Sequence, residues 1–347
     1  MLFLTLLGLL MACISSVIAQ TTTDCNPLKE DCPPDPALGT NHTWHFNSTL
    51  DDNIWAITNG DLDFTENGAN FSIKEKLDSP TLQSKFYIFF GIVESHVKMA
   101  KGGGIVSSVV LQSDDLDEID WEWVGYNTTQ VQSNYYGKGN DSTYDRGGYH
   151  YVPNADTEFH NYTTHWTKEK VEWYVDQELV RTLHAEDALD GKNFPQTPSN
   201  VRFGIWPAGD SKNPQGTIDW AGGMVDYDKG PYTMVVEKVR VHDFSSGKEY
   251  QYTDDSGDWD SIKVVQYVIT FPVKRRNTNK KQQRQLHHRP RTKQTTPEIH
   301  RRKMGRPIHR RQSWYRHRCR RRWRRCHCRL RPVLRAPAQK GPSRTRP

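Results

Sequence analysis

After its first twenty residues the chain has no apolar run near the roughly 20 residues needed to cross a membrane. It also has no long stretch whose apolar residues recur at helical spacing, and no internal repeat. The first absence excludes a membrane span in the body of the chain. The second turns the reading toward β structure. Acidic charge is missing at one end only. Residues 274–347 hold 28 Lys and Arg against one acid, Glu298, whereas residues 1–273 hold 19 against 40. The formal net charge of +6 therefore hides a body near −21 and a tail near +27. A segment so charged and so poor in aliphatic residues cannot bury a core. Residues 273–347 are expected to be a disordered basic tail. Its stretch "RRQSWYRHRCRRRWRRCHCRLRP" has the composition of a nucleic-acid or anionic-surface binder. Cysteine is scarce, with six in 347 residues. Cys326 and Cys328 around His327 match no strong zinc template, so neither a metal site nor a cofactor is expected.

What is present begins with "MLFLTLLGLLMACISSVIAQ", an apolar run ending in small residues. It reads as a signal peptide over residues 1–19, and the run is short for the alternative, an uncleaved anchor. Six N-x-[ST] sequons follow, at Asn41, Asn47, Asn70, Asn127, Asn140 and Asn161, a density that agrees with secretion. Secretion argues against a nucleic-acid partner for the tail. It also makes Cys25 and Cys32 legible as a small disulfide-closed loop, the alternative being two unpaired thiols. Residues 20–272 are long enough for one large β domain. "FYIFFGIVESHVKM", "GIVSSVVLQS", "EIDWEWV", "VQSNYYG", "KVEWYVDQELVRTL" and "VVEKVRVHDF" read as strands, separated by Gly-rich turns. The expected fold is all-β, a sandwich of two antiparallel sheets.

One stretch, "DEIDWEWVG" (Asp117–Gly125), crowds four carboxylates and two tryptophans into seven residues. In a strand, alternate side chains share a face. Glu118, Asp120 and Glu122 then point one way, and Ile119, Trp121 and Trp123 the other. Four strand steps separate the Glu118 and Glu122 backbones by about 13 Å, and two glutamates leaning together bring their heads to about 5–6 Å. That spacing suits a retaining glycosidase. Close like charges raise one another's pKa, so one acid keeps its proton near neutral pH. Glu118 is assigned as nucleophile, Glu122 as acid/base, and Asp120 as the group that orients and tunes Glu118. A solvated acidic edge or a calcium site is the bland alternative, opposed by the Trp-rich surroundings.

E-I-D-W-E resembles the active-site strand of glycoside hydrolase family 16. With "VQSNYYGKG", "CNPLKEDCPPDPALG" and "GTIDWAGG", it looks like the fungal Crh-type branch, cell-wall transglycosylases that graft chitin onto β-glucan. The resemblance covers roughly Cys25 to Val265. It implies a jelly-roll sandwich with the catalytic strand in its concave face. It implies sugar hydrogen bonds from Gln132 and Asn134, which match the family's Gln-x-Asn. Tyr136, Trp206 and Trp220 become candidate sugar platforms, and Trp166 and Trp173 stay open between core and cleft. His160 and His165 read as structural or surface residues.

Two departures stand out. Gln177 occupies a place where a hairpin glycine is usual, which is expected to distort that turn. Asp210 lies where a Gly-rich loop is more typical. The resemblance favours transfer of chitin chains to β-glucan with residual chitinase activity, in a secreted, cell-wall-associated monomer. The alternatives are a hydrolytic β-glucanase and a non-catalytic carbohydrate-binding wall protein. Similar enzymes often carry a Ser/Thr-rich stalk and a lipid-anchor signal where this chain has its basic tail. The tail is read either as a reading-frame artefact or as a real extension.

Overall fold

The computed structural model describes residues 23–267. The expected signal peptide, residues 1–19, and the expected basic tail, residues 273–347 with three cysteines, lie outside the described residues. Within them the chain forms two large antiparallel sheets and one small one. The seven-stranded sheet runs, in spatial order, Gly148–Tyr151, Gln130–Tyr136, Glu118–Val124, Val106–Ser113, Ser199–Trp206, Thr81–Ser84 and Trp55–Asn59. The second sheet runs Glu178–His184, Lys170–Val175, His160–Trp166, Gly91–Lys98, Tyr232–Asp243, Gly68–Ile73 and Asp63–Thr65, with Asn41–His45 also paired to Tyr232–Asp243. Asp35–Pro36, Glu249–Tyr252 and Ile262–Val265 make the small sheet. This is the expected two-sheet jelly-roll sandwich.

The sandwich forms because both large sheets turn an apolar face inward. Gly91–Lys98 and His160–Trp166 alternate buried and half-buried residues, the signature of a sheet with one wet side. Val106–Ser113 and Ser199–Trp206 are buried at every position. Their outer face is therefore enclosed as well, and that second enclosure is where the site lies. Trp55, Phe71, Trp121, Trp123, Trp166 and Trp173 fill the space between the sheets. Trp166 and Trp173 are thus core residues. His160 pairs with Asp176 at 2.7 Å and His165 with Glu172 at 3.1 Å, both on the second sheet.

The expected strand over Phe86–Met99 is shorter in the structure. It starts at Gly91, because Phe90 takes a left-handed φ of 59° and breaks the extended run. The hairpin after Val175 keeps a tight turn without glycine: Asp176 and Gln177 both adopt positive φ, 49° and 73°. Asp176 offsets that strain by accepting hydrogen bonds from the Asn161 backbone N–H and the His160 ring. The Asp210 carboxylate accepts from the Tyr227 hydroxyl and the Lys212 backbone N–H, and so holds its own loop. Cys25 and Cys32 are bonded to each other. Asn41 and Asn47 are exposed, and the other four sequon asparagines are half-buried.

Asp117 has a structural role. One carboxylate oxygen accepts the Lys138 backbone N–H; the other accepts the Gln196 and Thr197 backbone N–H groups and the Thr197 hydroxyl. It ties the start of the Glu118–Val124 strand to two distant loops. Behind it, buried Asp35 and Asp115 form an acidic cluster with half-buried Asp114 and Tyr87. Burial, then the Asp114 charge, pushes the Asp35 carboxyl up to about 9. Burial, then Asp115, pushes Asp117 up to about 7.

These acids bind protons in the folded chain at pH values where the unfolded chain, with carboxylates near about 4, has released them. Their contribution to stability is whole below pH about 4 and is lost as pH rises through 7 and 9. The melting temperature is expected to be higher at pH 5 than at pH 9, with Asp35→Asn flattening the alkaline part of that decline. Differential scanning calorimetry across the range checks both.

Candidate active site

The Glu118–Val124 strand is held from its apolar side. Ile119, Trp121 and Trp123 are buried between the sheets. The Trp121 and Trp123 rings meet Tyr162 of the second sheet edge-on, at 5.6 and 4.5 Å between centroids. The Trp173 indole N–H, also from the second sheet, donates across the sandwich to the Asp120 backbone carbonyl at 3.2 Å. Truncating a buried Trp costs about 3–5 kcal/mol, a large share of the roughly 5–15 kcal/mol that stabilises a domain. The apolar face therefore fixes the register, and the carboxylates on the other face must accept where it puts them.

On that outer face, pairing to both neighbours sets the layout. Glu118 lies between Gln112 and Tyr136, Asp120 between Val110 and Asn134, and Glu122 between Ser108 and Gln132. Glu118 is 8% exposed and Asp120 2%, with Glu122 half-buried. Burial, then the charges of Glu118 and Glu122, raises Asp120 far above the usual carboxylate range, and Asp120 hydrogen-bonds Glu118. Burial, then the Glu118 charge, pushes Glu122 up to about 8. Glu118 acts on both, so the three acid heads lie within electrostatic reach of one another. An arrangement that favours a proton on Glu122 at neutral pH beside a second carboxylate can supply a proton donor and an anionic group side by side.

The expected sugar-binding residues surround these acids. The Gln132 side-chain oxygen accepts the Trp220 indole N–H at 3.0 Å. The Asn134 amide donates to the Tyr136 hydroxyl at 3.0 Å. Arg146 lies 4.5 Å over the Tyr136 ring and occupies one of its faces. Burial, then the charges of Asp120, Glu122 and Glu118, raises the Tyr136 phenol above its ordinary value, so it stays a neutral donor. Trp206 is only 6% exposed and packs with Val106, Val124, Ala208 and Ala221 in a second small core. Trp220 lies against that core, half-buried, its ring 6.1 Å from Trp206. Of the two rings, Trp220 is the more exposed, and Trp206 packs behind it.

Trp220 ends a six-residue helix, Gln215–Trp220. Close backbone packing holds the helix over the sheet. Gly104 N–H donates to Ala221, Gly209 N–H to Gly104, and Val225 N–H to Gly209. A Cβ on Gly209 would meet the Gly223 carbonyl oxygen at 2.2 Å and the Gly104 Cα at 2.7 Å. The Lys101–Gly104 turn therefore belongs to the site wall.

Four site residues escaped the sequence reading. Gln112 donates to Glu118 at 3.3 Å, and Arg202 donates to Gln112 at 3.0 Å. Tyr149 and Tyr151 pair with Gln132 and Gln130, which puts both rings on the same outer face, 60% and 76% exposed. The signal for Gln112 and Arg202 was a long polar side chain placed directly beside large apolar ones, Leu111 for the first and Val201 and Phe203 for the second. For the tyrosines it was the alternation in Gly148–Tyr151.

A two-sheet antiparallel sandwich with a buried acidic row on the outer face of one sheet belongs to the class of carbohydrate-cleaving and carbohydrate-transferring enzymes. Comparison with known proteins makes the class particular. The model of glycosyl hydrolases family 16 matches residues 49–222. Crh-like protein 3 of Aspergillus fumigatus is 67% identical over 261 residues, which cover 75% of this chain and 72% of that protein. A Crh-like protein of Arthroderma benhamiae is 57% identical over 263 residues. The solved structure of Crh5 transglycosylase in complex with NAG aligns with a TM-score of 0.68 at 49% identity, covering 69% of this chain and 99% of that one. A Bacillus licheniformis β-glucanase, 24% identical with a TM-score of 0.50 over 59% of this chain and 99% of that one, shows the shared fold alone. The chain belongs to glycosyl hydrolases family 16, in its fungal Crh-type transglycosylase branch.

The glycine packing gives a paired prediction. Gly209→Ala is expected to lose about 1–3 kcal/mol, because backbone must move to admit the methyl group. Gly216→Ala, inside the helix with open space around it, is expected to gain about 0.5–1 kcal/mol. Urea unfolding of the two variants, with Trp fluorescence as readout, checks the opposite signs.

Proposed function

We propose that this protein is a secreted, retaining transglycosylase of the fungal cell wall that moves chitin chains onto β-glucan, with residual chitinase activity. The observation that carries the reading is the pairing of a proton-holding Glu122 with Glu118 on one enclosed strand face. In the first step the Glu118 carboxylate attacks the anomeric carbon. The glycosidic C–O bond breaks, and Glu122 gives its proton to the departing oxygen. A protonated Asp120 donates to Glu118 and limits how far its charge must be desolvated. In the second step an acceptor hydroxyl gives its proton to the Glu122 carboxylate and attacks the same carbon, releasing Glu118. Two inversions leave the configuration retained.

Gln132, Asn134, Tyr136 and Trp220 are the residues proposed to hold sugar, with Trp206 behind Trp220. The Asp120 Oδ1 and Asn134 Oδ1 atoms are buried without hydrogen-bond partners. Their residues are register partners on adjacent strands, and hydroxyls of a bound pyranose would satisfy them. Transfer outruns hydrolysis when a bound acceptor replaces water at the ester. The low exposure of Glu118 and Asp120 and the two exposed rings of Tyr149 and Tyr151 support that balance. The NAG bound to a relative 49% identical supports an N-acetylglucosamine donor. The β-glucan acceptor rests on the Crh-type resemblance. Residues 1–19 are proposed as the signal peptide, residues 20–272 as the catalytic domain, and residues 273–347 as a basic tail. Secretion, wall association and glycan addition at the six sequons follow from those assignments.

Purified enzyme given chitin oligomers and a fluorescent β-glucan oligosaccharide is expected to yield labelled hybrid products in excess of free chitooligosaccharides. Glu118→Gln is expected to lose at least about a thousandfold in rate while keeping the wild-type melting temperature. Hydrolysis products alone would make the protein a glucanase or chitinase. Full activity in Glu118→Gln would end the catalytic assignment.

A further inference from the structure

The acidic row poses a question of charge placement. Three carboxylates in one enclosed space share fewer negative charges than acids, and the reaction needs the charge on Glu118 and a proton on Glu122. Nothing in the Glu118–Val124 strand itself distinguishes the two glutamates. The distinction comes from the next two strands of the sheet.

Arg202, on the Ser199–Trp206 strand, is buried beneath the outer face. Its Nε donates to the Asn200 side-chain oxygen at 2.9 Å, and its Nη1 donates to the Gln112 side-chain oxygen at 3.0 Å. A guanidinium has only donors, so it settles the orientation of the Gln112 amide. The oxygen must face Arg202, and the NH2 group must face away. That NH2 meets Glu118 Oε2 at 3.3 Å. Gln112 is the register partner of Glu118, with no exposed surface of its own. A donor fixed in this way favours the ionised carboxylate over the protonated one.

The charge of Arg202 works in the same direction. Burial lowers the tendency of the guanidinium to hold its proton; Tyr87, Glu118, Asp114 and Asp24 act to restore it. Glu118 is the only one of these groups on the acidic row. Asp120, Glu122 and Arg202 face Glu118 in turn, and Tyr136 lies beside it. Glu122 has Ser108 and Gln132 as its register neighbours, and the Gln132 oxygen is engaged by Trp220. Burial and the Glu118 charge act on Glu122, and no cation among the described residues offsets them.

We propose that Arg202 is a positioning residue that acts through Gln112 to place the negative charge of the acidic row on Glu118 and so leave the proton on Glu122. The proposal rests on the reading of Glu118 as nucleophile and Glu122 as acid/base. Arg202 touches neither sugar nor acceptor; it sets which glutamate attacks.

The test is the pH profile of kcat/KM for transfer from chitin oligomers, measured for the full chain and for Arg202→Met, Arg202→Lys and Gln112→Met. The acid limb reports ionisation of the nucleophile in the free enzyme. Arg202→Met is expected to move that limb up by about one pH unit or more, with kcat at pH 5 down about tenfold and KM within about twofold. Arg202→Lys, which keeps the charge, is expected to bring the limb back to within about 0.3 unit of wild type. Gln112→Met leaves the cation in place and is expected to move the limb up by about half a unit. It carries the test by itself should Arg202→Met fail to fold. An unmoved acid limb in the folded variants overturns the proposal, as does an equal displacement in Arg202→Met and Arg202→Lys, which would assign the effect to packing. Glu118→Ala with added azide separates this from the underlying reading. A glycosyl azide of inverted configuration supports Glu118 as nucleophile whatever Arg202 does, and its absence would sink that reading.

Discussion

Three carboxylates at alternate positions of one strand, enclosed away from bulk water, cannot all be ionised at once. The rest of the site follows from that constraint. Burial and mutual repulsion push Asp120 and Glu122 toward their protonated forms. Once Glu122 holds its proton near neutral pH, the same repulsion that would destabilise an ordinary surface becomes the source of an acid. A water-filled edge strand with the same sequence would screen the charges and lose the asymmetry. Enclosure by the Gln215–Trp220 helix, Tyr136 and the two fully buried central strands is therefore part of the proposed chemistry as well as of the fold.

The acids tolerate this placement because the other face of their strand leaves them no alternative. A register shift of one residue would drive Trp121 and Trp123 outward and the carboxylates into the apolar core. Trp173 adds a directional lock by donating to the Asp120 carbonyl from the facing sheet. Asp117 locks the strand's start through four donors from two loops. The first of the four acids in Asp117–Gly125 is thus a staple, and the three that follow form the acidic row on the outer face.

Much of this was legible in the sequence, for a physical reason. The period of two in Glu118–Val124 separates acids from aromatics without tertiary information, and the structure begins and ends that strand where the alternation does. The sandwich was legible from many short alternating runs. The Phe86–Phe90 break was not, because five apolar residues carry no period and a left-handed Phe90 has no local signature. Trp166 and Trp173 could be read as core or cleft until the packing of the two sheets buried them. The Arg202–Gln112–Glu118 chain was out of reach for a different reason. Its members come from three strands, with 90 residues between Arg202 and Gln112, and only sheet order makes them neighbours. The role of the glycines at 104 and 209 was hidden in the same way, since each is required by a backbone more than ten residues distant.

The central claim is that a glycosyl group is carried on Glu118 between donor and acceptor. It is tested most directly by trapping that ester. Glu122→Gln slows the second step, so the variant given an activated aryl chitooligosaccharide and quenched in acid should accumulate covalent enzyme. Peptide mass mapping is expected to find one glycosyl mass on the peptide containing Glu118 and on no other. An adduct on Asp120 or elsewhere, or product of inverted configuration with no adduct, would contradict the account.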